Sequence, residues 1–173
     1  MFYQSLIDIE TNLSRSKRTE DKMVSKYVSF LDEWLISRPK QYRHRMNPLQ
    51  FSLDYEISNE ISEYLFELGF KTNLFEVYYE AESELKEPLG NISQDDFERL
   101  VQHGSIIVEH PYKDENYEVY IGNINVLFSL KEKPIEEFET RIIDSKKGTA
   151  PAFTGNKMSK KLRTALLTRG TGA

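Results

Sequence analysis

The sequence of 173 residues predicts an α+β fold with N-terminal helices, a small antiparallel sheet and an extended C-terminal arm. Apolar residues recur at helical spacing through the first 68 residues, whereas residues 70–130 contain runs that alternate as strands do. Apolar residues make up 39% of the chain and aromatic residues 12%, which excludes a disordered chain. No apolar stretch approaches the ~18 residues of a membrane span, so we expect none.

Three helices are predicted in the N-terminal part of the chain. The first covers residues 1–13, and the second covers residues 19–37, where Pro39 prevents its continuation. The third starts at about residue 53 or 57 and runs to Leu68, with Gly69 as the residue that ends it. We expect Trp34, on the second helix, to be buried against the sheet.

Strands dominate the next part of the chain. Residues 70–82, 105–110, 117–121 and 124–130 are rich in aromatic and β-branched side chains. Gly122 and Asn123 suit a two-residue hairpin turn between the last two of these strands. A short helix is predicted between a capping Ser93 and Gly104, residues 88–91 read as a loop, and a brief helix is expected around residues 135–143.

Tests for known chemistry give negative results. The chain has no cysteine, which excludes disulfides and thiolate metal sites, and its three histidines are isolated in sequence. The spacing of Gly148 and Gly155 fails the phosphate-loop pattern, and no nucleophile elbow is present. A nuclease-like set of Asp54 with residues 84–86 places Glu84 beyond its predicted strand. We therefore expect no enzymatic activity, no cofactor and no metal.

Charge divides the chain unevenly. The first 143 residues sum to −11, whereas residues 144–173 sum to +6 and contain Asp144 as their only acid. This break predicts a globular α+β domain over residues 1–143 and a basic extended arm with a short amphipathic helix over residues 144–173. Deleting residues 145–173 is therefore expected to leave the domain folded and to abolish assembly.

The arm is predicted to bind a partner. Its helix is too short to be stable alone in water, so another molecule is expected to cover its apolar stripe. The expected contact residues are Phe153, Met158, Lys160, Lys161, Leu162, Arg163 and Leu166.

A second candidate site is the loop bounded by Pro39 and Pro48. Cations with an interleaved aromatic residue could contact nucleic-acid phosphates or a protein partner, although the loop could equally pair with acids of this chain or a neighbour. Nucleic acid is the less favoured partner, because the strongly acidic body would repel a duplex. The loop residues singled out are Arg38, Lys40, Tyr42, Arg43 and Arg45.

The arrangement of an N-terminal helical region, a sheet over residues 105–130 and an extended arm over residues 144–173 resembles the small structural proteins of tailed phages. That group comprises neck, tail-completion and baseplate subunits. The resemblance implies a non-enzymatic assembly role, repeated copies, contacts with other virion proteins, and location in a virion assembled in the host cytoplasm. The alternative is a cytoplasmic accessory or regulatory protein, of a defence-related kind, that binds a protein or nucleic acid through residues 38–45.

Overall fold

The structure, a computed structural model, describes residues 1–140 and 148–171, with side chains to residue 168. Its elements confirm the α+β fold. The helices are α1 Gln4–Arg15, α2 Thr19–Ser25, α3 Val28–Ser37, α4 Pro48–Tyr55, α5 Asn59–Lys71, α6 Gln94–His103 and α7 Lys160–Thr171. The strands are β1 Phe75–Glu82, β2 Pro88–Ile92, β3 Ser105–Glu109, β4 Asn116–Tyr120 and β5 Ile124–Leu130.

The chain divides into two compact units. Unit 1 comprises Met1–Glu76 and Phe128–Pro151, and unit 2 comprises Val77–Leu127 and Ala152–Ala173. The predicted boundary between residues 143 and 144 lies outside the described residues. The expectation of a separate arm over residues 144–173 differs from this division, because the described part of that segment is shared between the two units.

Two antiparallel sheets are present among the described residues. One has the strand order β2–β1–β5 and the other consists of β3 and β4 alone. The hairpin predicted at Gly122 and Asn123 is wrong, because β4 and β5 belong to different sheets. A short 3-10 turn over Ile121–Asn123 separates them, and the backbone N–H of Tyr120 donates to Asn123 Oδ1 at 3.0 Å to close it. Residues 88–91, expected as a loop, lie in the edge strand β2.

The core of unit 1 is built from aromatic rings. The Trp34 ring lies 5.5 Å from Phe51 on α4 and 6.0 Å from Phe66 on α5, between ring centres. Trp34 is buried, as expected, but these neighbours are helical rather than part of the sheet. The indole N–H of Trp34 donates to Asp54 Oδ2 at 2.9 Å, which satisfies the polar atom of this ring.

Two helix boundaries differ from the predictions. The single helix expected over residues 19–37 is divided into α2 and α3, with Lys26 and Tyr27 between them. Helix α5 does not end at Gly69 but continues to Lys71. Gly69 is instead a packing residue, since a Cβ there would lie 2.6 Å from two ring atoms of Phe75.

The remaining expectations concern residues 131–143 and the membrane. The described residues 131–140 contain no helix, and the other three residues of the helix expected over 135–143 lie outside the description. No helix within the described ranges combines the length and apolar composition needed to cross a membrane.

Candidate interaction surface

Four apolar side chains of the C-terminal segment, residues 152–173 of unit 2, are buried. Phe153, Met158, Leu162 and Leu166 are each at most 7% exposed. The prediction that another molecule must cover these four side chains is therefore wrong, because their own chain covers them. The physical reason is that the segment finds an apolar surface in the unit to which it is joined, without the entropy loss of a second molecule.

Backbone contacts hold the same segment in place. The N–H of Val126 donates to Phe153 O at 2.8 Å, and the side-chain amide of Gln94 donates to Leu166 O at 3.0 Å. Close approach also matters, since a Cβ on Gly155 would lie 2.7 Å from Ile121 O. The segment is therefore an integral part of unit 2.

Opposite charges also favour the packing of the C-terminal segment on the rest of unit 2. Residues 77–127 carry eleven acidic and three basic side chains, whereas residues 152–173 carry five basic and no acidic side chains. The two parts belong to one unit, so their opposite charges attract. Of the predicted contact cations, Lys160 and Lys161 are exposed, and Arg163 is half-buried with a terminal nitrogen donating to Gly155 O at 3.5 Å.

The loop of residues 38–45 uses two of its arginines inside unit 1. The Arg38 guanidinium lies 4.6 Å from the centre of the Trp34 ring and 3.7 Å from Asp54 Oδ2. Arg43 donates from Nε to Arg38 O at 3.0 Å, and its guanidinium lies 5.3 Å from the centre of the Phe138 ring. These contacts make both cations structural.

The other members of that loop are at the surface. Lys40, Tyr42 and Arg45 are exposed, although Arg45 has a contact within the chain. The loop therefore presents a weaker cationic patch than its sequence suggests. Asp54, considered as a nuclease carboxylate, accepts hydrogen bonds from Trp34 and from Gln50, so its role here is to hold α3 against α4.

Unit 2 contains a polar cluster that links two hairpin tips. The turn between β1 and β2 supplies Glu87, and the turn between β3 and β4 supplies His110 and Lys113. Glu87 Oε1 accepts from His110 Nε2 at 2.8 Å and from Lys113 Nζ at 2.9 Å. Lys113 and His110 lower the pKa of Glu87, because both donate hydrogen bonds to its ionised form.

The tautomer of His110 follows from its contacts. Its Nδ1 lies 3.0 Å from the backbone nitrogens of both Tyr112 and Lys113, and these N–H groups need an acceptor. Nδ1 is therefore unprotonated, and Nε2 carries the hydrogen that is donated to Glu87. This buried imidazole holds the shape of its own turn and ties that turn to the neighbouring one.

The two linked hairpins carry large apolar side chains that face solvent. Leu85 at the β1–β2 tip is 91% exposed and Tyr112 at the β3–β4 tip is 92% exposed. On the β3–β4 sheet itself, Ile107 is 66% exposed and Tyr120 is 46% exposed. We call these four residues, Leu85, Ile107, Tyr112 and Tyr120, the hairpin surface.

The β3–β4 sheet has one buried face and one open face. Val119 is fully buried, and Ile106 lies opposite it in the register. Side chains alternate between faces along a strand, so Ile107 and its partner Glu118 lie on the other face. Tyr120 is the diagonal neighbour of Ile107 on that face, within reach of a shared contact.

Carboxylates surround the apolar residues of the open face. Glu109 and Glu118 are exposed on it, and Ser105 Oγ donates to Glu118 Oε1 at 3.0 Å. A hydrogen bond to the Glu118 carboxylate and its charge raise the pKa of the Tyr120 hydroxyl. No group of three or more potential metal ligands is found within residues 1–140 and 148–171.

Sequence reasoning did not identify the hairpin surface. One signal was present: Ile106, Ile107 and Val108 are three consecutive apolar residues in a short strand. Since neighbouring side chains point to opposite faces, a strand with one wet face must expose one of them. The exposure of Leu85 and Tyr112 at turn tips had no comparable signal.

No family model, no curated protein and no solved structure matches this chain.

Proposed function

We propose that this protein is a non-enzymatic interaction subunit of a larger protein assembly, and that it binds its partner through the hairpin surface. The observation that carries the proposal is the exposure of four large apolar side chains on two hairpins that a polar cluster holds together. Exposed apolar side chains that gather into one patch rimmed by polar groups are typical of protein–protein contact sites.

The rigidity of the linked tips supports the same function. Glu87, His110 and Lys113 fix both turns before any partner arrives, so binding loses less conformational entropy than it would with two mobile loops. The four apolar residues would then act as preorganised anchors.

The narrower prediction is a neck, tail-completion or baseplate subunit of a tailed phage, present in repeated copies in the virion. That prediction rested on an arm that needs a neighbour, and the buried apolar stripe of residues 153–166 removes this support. The proposal therefore keeps the assembly role and transfers the contact from the arm to the hairpin surface.

The alternative function used the loop of residues 38–45 as the binding site for a protein or nucleic acid. This alternative has less support, because Arg38 pairs with Asp54 and Arg43 packs on the Phe138 ring, both within unit 1. The exposed Tyr42 remains the best position from which to test this loop directly.

Site-specific photo-crosslinking in the cells that produce the protein separates the two sites. A benzoylphenylalanine at position 107 is expected to give a crosslinked partner protein, whereas the same group at position 42 is expected to give none. Both positions are more than half exposed, which matches the two probes in accessibility. Adducts at position 42 alone, or at neither position, would contradict the proposal.

A further inference from the structure

We propose that strand β3 is the docking edge for an extended, basic segment of the partner protein, which pairs with it as a third strand of the β3–β4 sheet. This inference rests on the proposed function and names the chemistry of the partner. It follows from three features of the β3–β4 hairpin: its free backbone groups, its open face and its charge.

The pairing of β3 with β4 determines which backbone groups are free. The N–H of His110 donates to Glu115 O at 2.9 Å, so these two residues form a hydrogen-bonded pair just beyond the strand ends. Hydrogen-bonded and non-hydrogen-bonded pairs alternate along an antiparallel ladder. Ile107, opposite Glu118 and three residues from His110, belongs to a non-hydrogen-bonded pair. Its N–H and C=O point away from β4, as do those of Glu109.

The other strand agrees with this assignment. Tyr120 on β4 also belongs to a non-hydrogen-bonded pair, with Ser105, so its N–H points away from β3. That N–H donates to Asn123 Oδ1. At Ile107 and Glu109, by contrast, no backbone hydrogen bond to a residue outside the hairpin occurs within the described part of the chain. The outer edge of β3 is therefore more open than that of β4.

A two-stranded sheet with an open edge favours the addition of a strand. Unpaired N–H and C=O groups in an edge strand are a template for an extended peptide, and main-chain hydrogen bonds then supply affinity. Proteins blunt such edges with proline or with inward-pointing charge. Strand β3 contains no proline and instead places Ile107, two-thirds exposed, in its centre.

Charge defines the partner. Residues 105–120 carry four acidic side chains and one basic side chain, and that basic residue, Lys113, is already paired with Glu87. Glu109 lies on β3 itself, and Glu118 lies opposite Ile107. A partner strand that places lysine or arginine beside these carboxylates and an apolar side chain beside Ile107 complements the edge, whereas an acidic strand is repelled.

The test uses the full-length protein and a defined probe. The probe is an end-blocked, fluorescein-labelled peptide, Lys-Thr-Val-Thr-Lys-Thr-Val-Thr, which places lysine and valine in turn on one face of the added strand, the face that Ile107, Glu109 and Glu118 share. Fluorescence anisotropy measures its dissociation constant. Ile107→Pro removes the outward N–H without removing an inward ladder bond, as edge strands tolerate. We expect it to weaken binding at least about tenfold, the effect of a lost hydrogen bond plus a misfitted strand.

The matched control is Ile107→Thr, which keeps both the N–H and a β-branched side chain. It should bind the probe within about threefold of the wild-type protein, since the backbone contact is retained. A peptide with glutamate in place of lysine should not bind. Equal binding by wild type and Ile107→Pro overturns the inference, and so does a wild-type protein that does not bind the lysine–valine peptide.

A second measurement leaves the protein unaltered, in case Ile107→Pro fails to fold. One probe is N-methylated at its four threonines and another at its two lysines and two valines, so each loses the N–H groups of one strand edge. If the peptide adds to β3, only one of the two probes loses binding, and equal behaviour of both overturns the inference. Crosslinking at position 107 combined with equal behaviour of both probes leaves the proposed function standing and removes only the strand addition.

Discussion

The C-terminal segment and the β3–β4 hairpin both belong to unit 2, and both present an apolar stripe beside charged residues. The segment buries its stripe, with Leu162 fully inaccessible, whereas the hairpin exposes Ile107 and Tyr120. Amphipathicity alone therefore does not reveal whether a stripe is covered by its own chain or by another molecule. In this protein the basic stripe belongs to the same unit as the acidic residues 77–127, whereas the single basic residue of the acidic hairpin, Lys113, is paired with Glu87 of the neighbouring turn.

The variant with the largest expected effect lacks the C-terminal segment. Deleting residues 152–173 removes four buried apolar side chains and exposes the surface on which they pack, so residues 77–127 should lose their resistance to proteolysis. The four side chains are those of Phe153, Met158, Leu162 and Leu166. This outcome is the opposite of the one that the sequence predicts for the truncation. Trp34 is the only tryptophan and lies in unit 1, so its fluorescence reports separately on that unit. Unchanged protection of residues 77–127 would mean that the segment is dispensable.

A pair of leucine substitutions sharpens the contrast at single-residue level. Leu162→Ala should lower the free energy of unfolding of unit 2 by about 2–5 kcal/mol, the usual range for a fully buried leucine. Leu85→Ala, at a position 91% exposed, should change it by less than about 0.5 kcal/mol. Denaturant unfolding measures both variants, and similar values for the two would show that Leu162 is not part of the core.

A smaller effect concerns the polar cluster that holds the two tips. The pKa of Glu87 is lower in the folded protein than its ordinary value of 4.5, so its ion pairs stabilise the fold above that pH. The stabilisation disappears as the pH falls through the lowered pKa. Glu87→Gln should therefore melt at a lower temperature than the wild type at pH 7, and this difference should shrink below pH 4.5 and vanish once the pH is below the lowered pKa.

Glu84→Gln in the same turn is the matched control for this prediction. It removes a carboxylate from the same tip without touching the contacts of His110 and Lys113. A melting-temperature difference for Glu87→Gln that stays constant from pH 7 to pH 3 would exclude the ionised carboxylate as its source.

Local signals predicted several elements of the fold correctly. Ser93 caps α6 by accepting the N–H of Asp96 at 3.0 Å, and Gly104 ends that helix with φ of 88°. Strands β3 and β4 also lie close to their predicted positions. These features depend on a few neighbouring residues, so they can be predicted from the local sequence.

Long-range partners could not be predicted in the same way. Arg38 stacks on Trp34 and pairs with Asp54, 16 residues away in sequence, which turned an apparent binding loop into a structural one. The predicted hairpin at Gly122 failed because tertiary pairing placed β5 beside β1 instead of β4. The hairpin surface was missed for the same reason, since the exposure of Leu85 and Ile107 depends on what the rest of the fold covers.

Amide hydrogen exchange on the isolated full-length protein tests most directly whether the C-terminal segment is part of its own unit. Helix α7 is packed through Leu162 and Leu166, and its amides should exchange as slowly as those of α6 in the same unit. Exchange across residues 162–168 at the rate of an unfolded peptide would contradict this account and restore an arm that takes its structure from a neighbour.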